Sequence, residues 1–232
     1  SYRNYVLAGG GKLSHDDSAV NWLENRCGRR SDVVYAPSQF TADIMTSELG
    51  RKVRVIRPPL HTQELAGKAD PAALDALPHR LPERFVLHCG RLSRLKGSDL
   101  VIDAARQLHE SGQPIPVILA GTDNGIREHL AAAHDAGLPH DQLINLGPID
   151  RPVLLALMQR SVATLAPSRC DNLPNTVIES LALGVPVIGS DGVSINELVE
   201  DGRNGRCVPI GDAAALAQAM REAWNGDRKS VV

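Results

Sequence analysis

Short apolar runs separated by longer mixed segments set the pattern of this chain. Phe85–Cys89, Pro116–Ala120, Val162–Ala166 and Val185–Gly189 show almost no alternation of polar and apolar positions. A run of that length, bounded by glycine or proline, reads as a strand buried on both faces. Shorter runs predict strands at Val33–Ala36, Val53–Ile56, Leu143–Leu146 and Val208–Pro209. Between them, the spacing of apolar positions predicts helices over Asp17–Arg30, Gln39–Leu49, Ser98–Glu110, Gly125–Ala136, Ser194–Val199 and Ala213–Trp224. Asp150 caps a further helix through Gln159, Thr176 caps one that runs through Glu179 to Leu183, and a short helix is expected near Ala72–Leu77. Strands alternating with amphipathic helices imply an α/β fold with a parallel, doubly wound sheet.

The alternation falls into blocks. Residues 1–59 carry one β-α-β piece ending at Arg57-Pro58-Pro59, residues 60–82 are polar and proline-rich like a linker, and residues 83–226 hold the main α/β domain. Both ends read as cut: there is no initiator Met, and residues 227–232 read as a non-native tail. Gly9-Gly10-Gly11 follows no convincing strand and is expected to be a flexible loop, not a phosphate loop.

Composition narrows the function classes. The 43% of hydrophobic residues suffices for a core, and with only 3% aromatics that core must be aliphatic. A formal charge of −2 without a long basic run gives no reason to expect nucleic acid as a partner. Cys27, Cys89, Cys170 and Cys207 lack CxxC spacing and read as reduced thiols of a cytoplasmic protein. His129 and His134, five apart, do not share a helix face, so no metal site is expected.

Two stretches carry chemistry. After the strand at Phe85–Cys89 comes Gly90-Arg91-Leu92-Ser93-Arg94-Leu95-Lys96-Gly97, and a helix starts at Ser98. Strand, glycine turn and helix start place Arg91 and Lys96 beside backbone N–H groups, an arrangement suited to one diphosphate. Arg94, between them, is expected to face solvent. After the strand at Val162–Ala166 a polar loop carries Asp171, followed by Leu173-Pro174-Asn175-Thr176 and by Glu179 in what reads as the first helical turn. Two carboxylates eight positions apart around a helix N-terminus offer acceptors for sugar hydroxyls and donors for an anion. Gly121 and Gly147 follow two further strands, so all these residues lie just past strand carboxyl ends, where such sheets bind ligands.

With its Gly-Arg-Leu-x-x-x-Lys-Gly stretch and its acid-x7-acid motif inside Leu-Pro-Asn-Thr-x-x-Glu-Ser-Leu-Ala-Leu-Gly, the chain resembles the C-terminal half of group 1 (family 4) retaining glycosyltransferases, which have the GT-B fold. The resemblance implies a Rossmann-like donor-binding domain over 83–226 and a remnant of the acceptor-binding N-terminal domain over 1–59. It implies transfer of a sugar from a nucleotide-diphosphate-sugar donor with retention of configuration, without metal or other cofactor. Arg91 and Lys96 would bind the diphosphate, Glu179 the ribose hydroxyls, and Asp171 the transferred sugar. The family usually has Glu where this chain has Asp171. Gly90, Gly121, Gly147, Leu173, Pro174, Asn175 and Thr176 would line the donor site, and Ser38 matches a serine the family often carries, though a helix cap explains it equally well. The acceptor, whether glycan, lipid or small molecule, is undetermined, and so is peripheral contact with the inner membrane face through the missing domain. A sugar-nucleotide binding module without chemistry and a non-hydrolysing sugar-nucleotide epimerase are the alternatives. A nicotinamide dehydrogenase is disfavoured, since no G-x-G-x-x-G opens a strand–helix unit.

Overall fold

A computed structural model describes Lys12, residues 14–59, Leu65, residues 69–75, Leu77 and residues 80–226. The glycine cluster at 9–11, most of the linker between 60 and 68, and the tail at 227–232 lie outside the described residues.

The main domain is a six-stranded, all-parallel sheet: β3 (Val86–Cys89), β4 (Val117–Ala120), β5 (Leu143–Asn145), β6 (Thr164–Ala166), β7 (Val187–Ser190) and β8 (Gly205–Val208). Its order is β5-β4-β3-β6-β7-β8. The chain therefore winds outward from β3 to β5, returns to lay β6 against the other side of β3, and winds outward again. That is the order of the doubly wound dinucleotide-binding fold, with its switch point between β3 and β6.

Burial on both faces explains the uniformly apolar strands. Val86, Val117, Leu119, Leu165 and Ile188 point to one face, where α3 (Ser98–Glu110), α4 (Arg127–Asp135) and α7 (Ala213–Asn225) cover them. Leu87, Cys89, Ile118, Ala120 and Ile144 point to the other, under α5 (Arg151–Arg160) and the 3-10 turn Pro71–Leu74. Helix α3 shows how sequence sets this packing. Leu100, Val101, Ala104, Ala105 and Leu108 recur at helical spacing and are all buried. Helix α6 (Asn175–Ala182) follows β6 and is pinned to it by Ser180 Oγ–H, which donates to Thr164 Oγ1 at 2.7 Å.

The first block forms a separate two-stranded parallel piece, β1 (Tyr35–Ala36) and β2 (Arg54–Val55), joined by α2 (Gln39–Leu49). Helix α1 (His15–Arg30) starts in a capping box between Ser14 and Asp17 and buries no residue; Trp22 is 58% exposed. Ser38 is the N-cap of α2, accepting from Thr41 N–H at 3.2 Å, so the cap explanation of that serine holds. Glu197 of the main domain adds a second cap. Its two oxygens accept from Gln39 N–H at 3.0 Å and Phe40 N–H at 2.7 Å, which docks α2 onto the sheet.

Several predicted boundaries need correction. The short helix expected near Ala72–Leu77 is a single 3-10 turn over Pro71–Leu74, and Ser194–Val199 is likewise a 3-10 turn over Ser194–Glu197. Helix α4 begins at Arg127 and not at Gly125. The last strand starts at Gly205 and ends at Val208, earlier than Val208–Pro209, because pairing with β7 begins where the Asp201–Gly205 turn closes. Asp150 occupies the N-cap of α5 but makes no side-chain cap bond. No described helix is long and apolar enough to cross a membrane.

Gly97 ties the loop after β3 to the strand end of β6. It has φ +73°, and a Cβ there would lie 2.0 Å from Pro167 O. Gly112 has the same φ but open space around it. Gly112→Ala should therefore cost about 1 kcal/mol from left-handed strain alone, and Gly97→Ala at least about 3 kcal/mol more than that, from a clash with backbone that cannot yield. Denaturant unfolding measures both. Equal costs would show that the approach of Gly97 to Pro167 constrains nothing.

Candidate functional site

The site is built at the switch point. From β3 the chain enters the Gly90–Gly97 loop and then α3 on one face; from β6 it enters the 167–174 loop and then α6, which packs beside α5 on the other. Two loops leaving adjacent strands in opposite directions open a crevice between them. It holds a cavity of 210 Å³ whose wall includes His88, Arg91, Lys96, Asp171, Asn175 and Thr176. Gly90 and Pro174 also face it.

The two loops are cross-linked. Lys96 Nζ lies 2.5 Å from Asp171 Oδ2, with the lysine side chain 25% exposed and the aspartate 9%. Ser168 Oγ reaches the same oxygen at 3.3 Å, and Ser194 Oγ–H donates to Asp171 O at 2.9 Å. Arg169 adds a second bridge. Its backbone N–H donates to Leu95 O at 2.8 Å, and its Nη1 donates to Asp99 Oδ1 at 2.6 Å and to Arg94 O at 2.5 Å. Arg91, by contrast, is exposed and has no ion pair among the described residues, and Arg94 faces solvent as expected. The crevice therefore presents one committed cation and one uncommitted cation.

Backbone donors are distributed differently from expectation. Ser98 N–H, at the start of α3, donates to Ser93 O at 3.1 Å, and Lys96 and Gly97 N–H donate to Ser93 O and Arg94 O. Of the first three N–H groups of that helix only that of Ser98 is taken; those of Asp99 and Leu100 have no partner among the described residues. At α6 the N-cap is Pro174, not Thr176, because Pro174 has extended backbone angles and its carbonyl accepts from Val177 and Ile178. Asn175 and Thr176 N–H are thus the first two of the helix and have no partner among the described residues. Glu179 accordingly lies in the second turn of α6, not the first.

Glu179 is 4% exposed, and Arg151 Nη2 donates to its Oε1 at 2.8 Å. Arg151 opens α5, directly after the Gly147-Pro148-Ile149 segment. Gly90, Gly121 and Gly147 stand side by side at the ends of three neighbouring strands: Gly90 N–H donates to Ala120 O at 3.0 Å and Gly121 N–H to Gly147 O at 2.8 Å. A Cβ on Gly121 would lie 1.7 Å from Gly90 O, so this glycine lets two strand ends close up and does not face the cavity. Leu173 is half-buried and also off the cavity wall.

Three participants were not singled out from the sequence. His88 interrupts the apolar run of β3, and that interruption is its mark in the sequence. Arg151 places a cation at a helix N-terminus, where the dipole disfavours it; that local conflict pointed to a carboxylate partner. Arg169 had no mark beyond its place in the loop.

Comparison with known proteins fits this geometry. Residues 83–225, more than half of the chain, match the family model described as "Glycosyl transferases group 1". The chain belongs to the group 1 glycosyltransferases. It is 25% identical over 215 residues to the alpha-D-kanosaminyltransferase of Streptomyces kanamyceticus, covering 88% of this chain and 54% of that protein. It is 29% identical over 197 residues to the D-rhamnosyltransferase WbpZ of Pseudomonas aeruginosa, covering 83% and 49%. The chain thus spans about half the length of the curated relatives it matches. In fold it is similar to Anabaena HepE, solved in complex with UDP and glucose, with a TM-score of 0.76 and 23% identity over 94% of this chain and 60% of that one. The expected GT-B fold class stands on this likeness and on the sheet order.

A larger hollow of 1110 Å³ opens at the opposite, amino end of the strands, near Glu83, Pro116 and Gln142. Size does not make it the site of this family's chemistry: its Arg160 is committed to Pro82 O at 3.1 Å and to the Phe85 ring. The thiols nearest the crevice are not poised as nucleophiles. Burial, reinforced by the Glu179 charge, pushes Cys89 up to about 12, and burial with Asp171 raises Cys170.

His88 is held well below the ordinary histidine range, at about 4, mainly by burial. The hydrogen bond to Leu165 O opposes that effect, the Lys96 charge adds to it, and Asp99 opposes it. The unfolded chain takes up this proton near pH 6.5 and the folded chain only near 4. Stability from the neutral ring is therefore complete above about 6.5 and is lost as pH falls toward 4, by at most about 3 kcal/mol. Between pH 7.5 and 4.5 the wild type should lose about 2 kcal/mol more than His88→Gln in denaturant unfolding. Identical acid limbs would mean that His88 does not titrate as its surroundings require.

Proposed function

We propose that this chain carries the donor half of a glycosyltransferase that takes a sugar from a nucleotide-diphosphate-sugar, with retention of configuration and without a metal ion. The observation that carries this reading is the Lys96–Asp171 contact, which brings the Gly-Arg…Lys-Gly loop and the acidic loop to one cavity at the switch point. Binding of UDP by the Anabaena structural neighbour makes UDP the first nucleotide to test.

The chemistry needs stabilised negative charge. As the bond from the anomeric carbon to the diphosphate breaks, its electron pair leaves on the diphosphate, while the acceptor oxygen forms the new bond and its hydroxyl proton is released. Arg91 and Lys96, with Asn175 and Thr176 N–H, would receive the departing charge. The diphosphate would compete with Asp171 for Lys96, and Asp171, so released, would accept from hydroxyls of the transferred sugar. Glu179 supplies the ribose with a buried acceptor. A second reading is a sugar-nucleotide binding module without turnover. Transfer from donor to added acceptor, with the product's anomeric configuration read by NMR and EDTA present, separates the two.

Calorimetric titration with UDP, GDP and ADP tests the site directly. One of them should bind, and Arg91→Ala and Glu179→Ala should each weaken it about tenfold or more, the loss of one charge-assisted hydrogen bond. Binding that ignores both substitutions would move the site elsewhere.

A further inference from the structure

His88 belongs to no part of the chemistry above, yet it is a buried ionisable group on the cavity wall. Its Nδ1 lies 2.9 Å from Leu165 O, across the β3–β6 pair, and its Nε2 lies 2.8 Å from Ser98 Oγ at the start of α3. Ser98 Oγ in turn accepts from Ser93 N–H at 2.9 Å. Ser93 is the hub of the loop: its carbonyl accepts from Lys96 N–H and Ser98 N–H, both at 3.1 Å, and its Oγ lies 3.3 Å from Lys96 N. His88, Ser93 and Ser98 are all buried.

One proton arrangement satisfies the whole series. A carbonyl only accepts, so Nδ1 carries the hydrogen and donates to Leu165 O. A neutral ring then leaves Nε2 as an acceptor, which takes the Ser98 hydroxyl hydrogen and leaves the hydroxyl oxygen for Ser93 N–H. Each link is buried, so an orphaned member carries a desolvation cost and the loop shifts to recover a partner. The series runs from the switch point of the sheet, through the helix start, to the backbone of Lys96.

We propose that His88 is a positioning residue: acting through Ser98 and Ser93, it holds the 91–97 loop in the shape that receives a diphosphate. This rests on the reading of the crevice as a nucleoside-diphosphate site. It assigns His88 no contact with the sugar and no proton transfer. The ring is held neutral by its burial and by Lys96, and neutrality is what keeps Nε2 an acceptor.

The test compares His88→Asn, His88→Gln and Ser98→Ala. An Asn amide places a donor where Nδ1 was but nothing at Nε2; a Gln carbonyl reaches the Nε2 position and keeps an acceptor for Ser98. UDP, GDP and ADP are each titrated against their monophosphates, with Arg91→Ala and Glu179→Ala alongside. His88→Asn and Ser98→Ala should lower diphosphate affinity about tenfold, the worth of one hydrogen bond to a charged group, and leave monophosphate affinity within about twofold. His88→Gln should stay near the wild type. Equal losses for diphosphate and monophosphate would make His88 a fold-stabilising residue only, and no loss would overturn the proposal. Should no nucleotide bind, or should Arg91→Ala and Glu179→Ala bind as the wild type does, the site reading itself fails. Amide exchange then decides the positioning claim without ligand: Ser93 N–H must exchange faster in His88→Asn and Ser98→Ala, and unchanged protection from Ser93 to Gly97 would refute it.

Discussion

The Lys96–Asp171 ion pair is the contact on which the site depends. It joins, at the cavity wall, loops that leave adjacent strands toward opposite faces of the sheet. Arg169 repeats the connection a few residues away, by backbone to Leu95 and by side chain to Asp99 and Arg94. Gly97 allows the same approach sterically, with Pro167 O where a side chain would stand. Ion pair, guanidinium bridge and missing Cβ thus serve one geometric end.

Charge arrangement follows from this. A lone lysine in a partly buried crevice would lose hydration without compensation, and Asp171 supplies the partner. Glu179 and Arg151 repeat the logic between α6 and α5, off the wall of the cavity. In each case a charged group holds a counter-charge from the protein, so on the proposed function donor binding would be an exchange of partners. Such exchanges cost less than exposing a bare charge, and they make affinity depend on geometry more than on total charge.

Much of this was legible in the sequence. Continuous apolar runs gave away a parallel sheet because strands buried on both faces tolerate no polar alternation. Helix α3 was read to its correct ends, since Gly97 and the spacing of its leucines both mark it. Strand edges were harder: Thr164, not Val162, opens β6 and Gly205 opens β8, because ladder pairing and not side-chain character decides where a strand begins. Arg91, Lys96 and Asp171 could be placed at the strand ends because each follows a continuous apolar run within a few residues, and the structure brings all three to one cavity wall. Arg151 and Glu179 meet only through the packing of α5 beside α6, which no spacing rule reports. Pro174 outranked Thr176 as the cap because its fixed backbone angle suits the position before a helix's first turn.

The most direct measurement is a crystal structure of this chain with the nucleoside diphosphate that it binds. The diphosphate should lie within hydrogen-bond reach of Lys96 Nζ and of Asn175 or Thr176 N–H, with the Lys96–Asp171 contact broken or shared and the ribose hydroxyls on Glu179. A nucleotide lodged in the hollow at the amino ends of the strands, or in the crevice with Lys96 still held by Asp171 and away from any phosphate, would contradict the account.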